Sequence, residues 1–176
     1  MYLPSDDTFL LADCIKRYSG TWALEIGVGS GLLLSMLEKN FVHVAGSDID
    51  FGALQHSKQS SSKALLVCCD AASAFGTSEF DLIVSNPPYL PDKFDDASIW
   101  DQTVHGGPKG IETTVHFINS ALPLLARNGK MLLVISSLAE SYMLDNVVEE
   151  KKMHMKVIKE KRLFYETLSI IELSAR

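Results

Sequence analysis

Short apolar runs that stop abruptly set the limits on this chain. The runs at 22–26, 42–46, 64–68 and 80–84 read as buried strands. They stop at Gly27, at Ser47-Asp48, shortly before Asp70, and just before Asn86. Helical periodicity fills the intervals before, between and after them. Strands alternating with helices at this spacing imply right-handed βαβ units and a mostly parallel, doubly wound α/β sheet. Ligands of such sheets bind beyond the carboxyl ends of the strands, at the switch point in strand order. Gly27, Asp48, Asp70 and Asn86 are therefore expected on one rim.

The remaining elements follow the same logic. Ser5 is a suitable N-cap, Asp6 and Asp7 suit a first helical turn, and Leu10, Leu11, Cys14, Ile15 and Tyr18 extend a helix over 6–17. Leu32 to Leu37 opens a second helix, and a polar one runs to about 60. The segment 90–110 is long, rich in Pro, Asp and Gly, and aperiodic, the mark of a functional loop. A helix is predicted over 111–126 with Val115, Ile118, Leu122 and Leu125 on its face, closed by Asn128-Gly129 before a strand at 130–135. A helix at 138–150 and an antiparallel pair, 153–158 with 167–173, end the chain. No linker divides residues 1–176, so one domain is expected.

Asn86-Pro87-Pro88-Tyr89 closes the fourth run. Two prolines end a strand, because neither donates an N–H and each biases its predecessor towards an extended backbone. An Asn carbonyl beside a backbone carbonyl can accept both N–H bonds of a planar NH₂ group, and Tyr89 can cover that group's face. A plain strand end with a proline turn explains the same four residues when they are taken alone.

The glycine-rich turn tips the balance towards a site. Gly27, Gly29 and Gly31 allow a tight turn and close ligand approach. A dinucleotide fingerprint needs a third glycine at position 32, which is Leu. Asp48 suits ribose hydroxyls. Glu25, beside the glycines, would repel phosphate and favour a cation. S-adenosylmethionine carries a sulfonium and an ammonium and no phosphate, so the electrostatics select it over NAD.

With these motifs assembled, the chain resembles the class I S-adenosylmethionine-dependent methyltransferases with an Asn-Pro-Pro-Tyr motif. Among them it is similar to the release-factor glutamine methyltransferases related to HemK, in their compact archaeal and eukaryotic branch. The matching parts are Tyr2-x-Pro4-x-Asp6-Asp7-Thr8-Phe9-Leu10-Leu11, Leu24-Glu25-Ile26-Gly27-x-Gly29-Ser30-Gly31, Asp48-Ile49-Asp50, Asn86-Pro87-Pro88-Tyr89, Gly106-Gly107-x-x-Gly110-x-Glu112 and Glu166-Thr167-Leu168-Ser169. Asp50 stands where many relatives have Asn. The resemblance implies a seven-stranded Rossmann-like sheet with an antiparallel C-terminal hairpin strand. It implies that Thr8, Glu25 and Gly27 border the methionine part of the cofactor, with Gly29 in the same turn. Asp48 would take the ribose, and Asp70 with Ala71 the adenine. Asn86, the Pro87 carbonyl and Tyr89 would hold the substrate amide, with Asn86 also against the cofactor. The implied reaction is N5-methylation of the glutamine in the GGQ loop of a peptide chain release factor. A small zinc-binding activator protein is the implied partner, adding to the sheet edge at strand 64–68 and covering Leu66 and its neighbours.

Two other readings remain: an RNA or DNA methyltransferase acting on the exocyclic amine of adenine or guanine, and a protein lysine (histone) methyltransferase. A catalytically silent partner subunit of the same fold is a third, opposed by the intact motif at 86–89. A net charge of −6 opposes a broad nucleic-acid face. Asp92, Asp95, Asp96, Asp101 and Glu112 outnumber Lys93 and Lys109 along the 90–112 loop, which suits a basic polypeptide better than phosphate. The basic run from Lys151-Lys152 to Lys161-Arg162 is the one feature that favours nucleic acid, and charged protection of a terminal edge strand explains it better. With 47% apolar and 22% charged residues the composition is that of a water-exposed globular chain. Cys14, Cys68 and Cys69 lack zinc-ligand spacing, so free thiols, no bound metal and a cytoplasmic setting are expected. No apolar run reaches the ~20 residues of a membrane span.

Overall fold

The computed structural model describes residues 3–76, 79–92 and 103–176. In chain order the elements are α1 (Asp6–Ile15), β1 (Gly20–Ile26), α2 (Leu32–Leu37), β2 (Phe41–Asp48), α3 (Phe51–Ser60), β3 (Leu65–Cys68) and β4 (Phe80–Ser85). Then come α4 (Glu112–Ala121), β5 (Leu125–Ser136), α5 (Tyr142–Glu150), β6 (Met153–Arg162) and β7 (Thr167–Ala175). One seven-stranded sheet results, in the order β3-β2-β1-β4-β5-β7-β6. The first five strands run parallel, and β7 pairs antiparallel with both β5 and β6. The expected Rossmann-like sheet and its C-terminal hairpin are both present.

Neighbouring residues on the central strands face opposite ways, and both faces are covered. Ala23, Leu82, Val84, Leu132 and Val134 pack with α1, α2 and α3 through Leu11, Leu34 and Leu54. Leu24, Ile83, Met131 and Leu133 pack with α4 and α5 through Ile118, Leu144 and Val148. Burial on both faces explains why these runs lack strict alternation. After β3 the chain crosses back to lay β4 on the far side of β1. The switch point therefore lies between β1 and β4, whose ends carry Gly27 and Asn86.

The predicted helix over 111–126 is shorter than expected. It ends at Ala121, a 3-10 turn holds Leu122–Leu124, and β5 begins at Leu125. Pro123 is the reason: without an N–H it cannot extend the α-helical ladder. Asn128-Gly129 therefore lies within β5, where the register against β4 shifts between Phe80 and Leu82. A Cβ at Gly129 would stand 2.4 Å from the Phe80 carbonyl oxygen, so the backbones meet where only glycine fits. The helix expected at 138–150 starts at Tyr142, because Ser136 Oγ accepts from Leu138 N and Ser137 N bonds the Thr167 carbonyl. Ser5 occupies the N-cap of α1 without a side-chain cap bond.

β3 does form one edge of the sheet and β6 the other. The outward residue of β3 is Leu65, at 58% exposure. Leu66 instead turns inward, towards Leu34, Val28 and Gly46. On β6, Lys159 pairs with Asp13 and Lys161 with Asp6, so part of the basic run clips the edge strand to α1.

Candidate active site

The strand ends open onto a cavity of about 1340 Å³. Every site residue expected from sequence lines it: Thr8, Glu25, Gly27, Gly29, Asp48, Asp70, Ala71, Asn86, Pro87 and Tyr89. Six carboxylates, on Asp7, Glu25, Asp48, Asp50, Asp70 and Glu166, also face it, and no Lys or Arg does so among the described residues. Such a lining attracts cations and repels phosphate.

At the glycine turn, Gly27 N and Val28 N both donate to the Ser47 carbonyl, fastening the end of β1 to β2. Gly27 has φ +76°, and a Cβ there would meet only the Phe117 ring, at 3.9 Å. The turn thus bares its backbone to the cavity. Asp48 braces it, with Oδ2 accepting from Gly29 N at 3.1 Å and Oδ1 from Asp50 N at 2.9 Å. Each oxygen keeps a further lone pair for a hydroxyl donor. Asp50 caps α3 by accepting from Gly52 N, a job Asn does equally well.

Glu25 is 2% exposed, and its Oε2 has no partner. Burial pushes its carboxyl well above the usual carboxylate range; the Asp48 carboxylate adds to this, and a bond from the Leu34 backbone opposes it. A buried carboxylate left incomplete beside a bare glycine turn is arranged for a cationic ligand.

The acceptor end lies across the switch point. Asn86 Nδ2 donates to Thr8 Oγ1 at 3.3 Å, and its Oδ1 is buried with no partner. That bond fixes the amide so that the oxygen remains the acceptor. Tyr89 OH donates to Asp7 Oδ2 at 3.1 Å, and Asp7 Oδ1 accepts from both Thr8 N and Thr8 Oγ1. Asp7, read from sequence as a helix-start acid, is 2% exposed and holds both Tyr89 and Thr8. No local signal separates it from Asp6; only the docking of α1 does. Behind Tyr89, the Tyr89 and Leu90 amides both donate to the Val104 carbonyl, fixing the chain after the prolines.

At the opposite end, Asp70 Oδ1 lies 2.8 Å from His116 Nε2 of α4. Ala71 has φ +46°, in the left-handed region that a non-glycine residue enters at a cost, and such outliers gather at functional sites. His116 and Phe117 were not legible as site residues, since periodicity along α4 marks only its buried face. Glu112, counted from sequence among the loop's rim charges, instead accepts from Lys109 N and Ile111 N and closes the turn before α4. Lys93, Asp95, Asp96 and Asp101 lie outside the described residues, as does Tyr2. Cys14 is buried, Cys68 exposed and Cys69 intermediate.

Comparison with known proteins places this geometry. Residues 6–165 match the family model of the methyltransferase small domain. A Methanocaldococcus jannaschii protein assigned, by inference, as a protein N5-glutamine methyltransferase is 30% identical over 78% of this chain and 73% of its own. The catalytic subunit of the Schizosaccharomyces pombe eRF1 methyltransferase is 24% identical over 98% of this chain and 88% of its own. Among solved structures, the E. cuniculi Mtq2–Trm112 complex, responsible for methylating the eRF1 termination factor, superposes with a TM-score of 0.82. It does so at 24% identity, over 99% of this chain and 98% of that one.

Proposed function

This chain belongs to the methyltransferase small domain family, among the class I S-adenosylmethionine-dependent methyltransferases related to the release-factor glutamine enzymes, and from that premise we propose its substrate and the roles of its residues. Residues 1–176 act as one cytoplasmic methyltransferase domain that methylates N5 of the glutamine in the GGQ loop of a peptide chain release factor. The observation that carries this reading is the Asn86 amide, with Nδ2 spent on Thr8 and Oδ1 buried and unmatched.

The cavity suits S-adenosylmethionine. The unmatched Glu25 Oε2 and the bare backbone at Gly27 would receive the ammonium and methionine part, Asp48 the ribose, and Asp70 with Ala71 the adenine. When bound there, the cofactor supplies an electrophilic methyl group. Everything else falls to the protein. Asn86 Oδ1 and the Pro87 carbonyl accept the two N–H bonds of the glutamine amide, aim its nitrogen and favour partial loss of its delocalisation into the carbonyl. The Tyr89 ring, anchored by Asp7, covers the amide plane. Positioning of this kind is worth roughly 7–11 kcal/mol in favourable cases.

The test is labelled methyl transfer to purified release factor, with the modified residue located by mass spectrometry. Label on the GGQ glutamine is expected. Label on RNA, or on a histone lysine, overturns the substrate assignment. A 16S rRNA N2 methyltransferase of T. thermophilus, solved with AdoMet and guanosine, shares the fold at a TM-score of 0.70, so RNA belongs in the assay.

A zinc-binding activator is the second part of the proposal. β3 is an uncovered edge, with no charge after Lys63 and with Leu65 outward, and such an edge favours strand addition. No group of three or more metal-ligating side chains occurs among the described residues, so the zinc would be the partner's own. Because Leu66 faces the core, Leu65→Lys is the informative variant. It should weaken the complex and leave the melting temperature of the isolated chain unchanged. An isolated chain that is fully active and indifferent to the activator would end this part of the reading.

A further inference from the structure

The sheet order gives the cavity a direction. The ends of β2 and β3 hold Asp48, Asp70 and Ala71, and the end of β4 holds Asn86 to Tyr89. Beyond β4 come β5, β7 and β6. Because β7 runs antiparallel to β5, its first residues lie on the same rim as the end of β5: Ser136 pairs with Leu168. The β6–β7 turn therefore stands on the acceptor side of the cavity, away from the adenine end. Glu166, in that turn, lines the cavity and accepts a hydrogen bond from Ser136 Oγ at 2.5 Å.

Directly before Glu166 stand Phe164 and Tyr165, 90% and 84% exposed. Their rings meet edge to face, 4.6 Å apart at 79°. Both are more exposed than any other large apolar side chain described. Among the described residues the only ring contact of either is with the other, and the turn is held without them, by Leu163 N to the Glu166 carbonyl and by Thr167 N to Ser137 Oγ. Two large rings left in water cost solubility without a return in stability. Aromatic side chains are enriched among the anchors of partner chains, and these two directly precede a residue that lines the cavity.

We propose that Phe164 and Tyr165 form a clamp for the polypeptide that carries the methylated glutamine, gripping the backbone beside it where it leaves the cavity across β5 and β7. This rests on the substrate reading given above. A glycine-rich segment suits the clamp, because residues without Cβ let peptide planes lie flat against a ring. A nucleic acid could stack on the same rings, but it needs cations beside them. Of the basic residues on this end of β6, Lys159 and Lys161 are already held by Asp13 and Asp6, which leaves Arg162 for solvent. No Lys or Arg among the described residues lines the cavity itself. The charges favour a peptide.

The test compares the wild-type chain with Phe164→Ser/Tyr165→Ser and with Tyr165→Phe, using intact release factor in steady-state methyl transfer. The double variant should raise KM for the release factor about tenfold or more, the scale of losing two interface aromatics. Its kcat, its melting temperature and its S-adenosylhomocysteine affinity should stay at wild-type values, and Tyr165→Phe should keep the wild-type KM. An unchanged KM in the double variant, with the wild type active on release factor, overturns the clamp and leaves the substrate reading intact. A wild type that leaves release factor unlabelled removes the substrate reading, and the clamp falls with it. Loss of RNA labelling in the double variant would show that the rings serve bases instead.

Discussion

Asn86 divides one side chain between two tasks: its nitrogen is tied to Thr8, and its oxygen waits, buried, for a donor. Asn86→Ala removes the acceptor and leaves the glycine turn untouched. It should cost at least about 100-fold in kcat, the scale of a misplaced reacting group, with S-adenosylhomocysteine affinity preserved in calorimetry. Wild-type turnover would remove Asn86 from the mechanism. Glu25 makes a prediction in pH. Its carboxyl is held well above 4.5 by burial, so the folded apoprotein keeps a proton that the unfolded chain releases. Stability therefore falls as pH rises from 4.5 towards the folded value and stays reduced above it. Glu25→Gln should melt higher than wild type at neutral pH and converge with it below pH 4.5. A cationic cofactor has the opposite preference, since it stabilises the carboxylate. Its binding should expel a proton from the wild type and none from Glu25→Gln, read by calorimetry in two buffers of different ionisation enthalpy.

Among the elements, the passage from α4 into β5, beside β4, is the place where sequence periodicity and packing disagree. Leu122 and Leu125 continue the helical spacing of α4, but Pro123 stops the ladder, and the chain turns into β5 early. The resulting irregularity is locked by Gly129, packed against the carbonyl of Phe80 and the backbone of Ala126. Both neighbours are backbone, so a side chain at Gly129 cannot be relieved by a rotamer change. Gly129→Ala should destabilise the protein by about 2 kcal/mol, measured by urea unfolding with an unchanged slope. A neutral result would mean that β4 and β5 can slide apart there at no cost. At the far edge, α1 serves both ends of the fold. Its first turn delivers Asp7 and Thr8 to the site, while Asp6 and Asp13 hold β6.

For the molecule as a whole, the seven strands lay out a path from Asp70 and Ala71, just beyond β3, to the aromatic tip between β6 and β7. Among the described residues, the ionisable side chains along its cavity are carboxyl groups, apart from the His105 and His116 imidazoles and the Tyr89 phenol. A ligand that binds only the folded state stabilises it by mass action. S-adenosylhomocysteine at 100 times its Kd should add about 2.7 kcal/mol, which raises the melting temperature of a chain this size by roughly 5–10 °C. NAD at the same concentration should shift it little, because its phosphates would face carboxylates. A larger shift with NAD would reverse the cofactor assignment.

The sequence alone determined the order and type of the strands, since runs of buried apolar residues and the turn residues that end them are local signals. It also determined that Gly27, Asp48, Asp70 and Asn86 share a rim, because a parallel sheet presents all its strand ends on one side. Tertiary structure decided the rest. Nothing local distinguishes Asp7 from Asp6, yet the docking of α1 buries one against Tyr89 and gives the other to Lys161. Leu65 and Leu66 are equally apolar, and only the pleat of the edge strand settles which meets water. His116 reached Asp70 through the packing of α4 across the sheet, a contact 46 residues away in sequence. Phe164 and Tyr165 carry no mark of function in the chain; the antiparallel return of β7 sets them on the rim, next to the cavity-lining Glu166, because a reversed strand brings its beginning to the rim where its neighbours end.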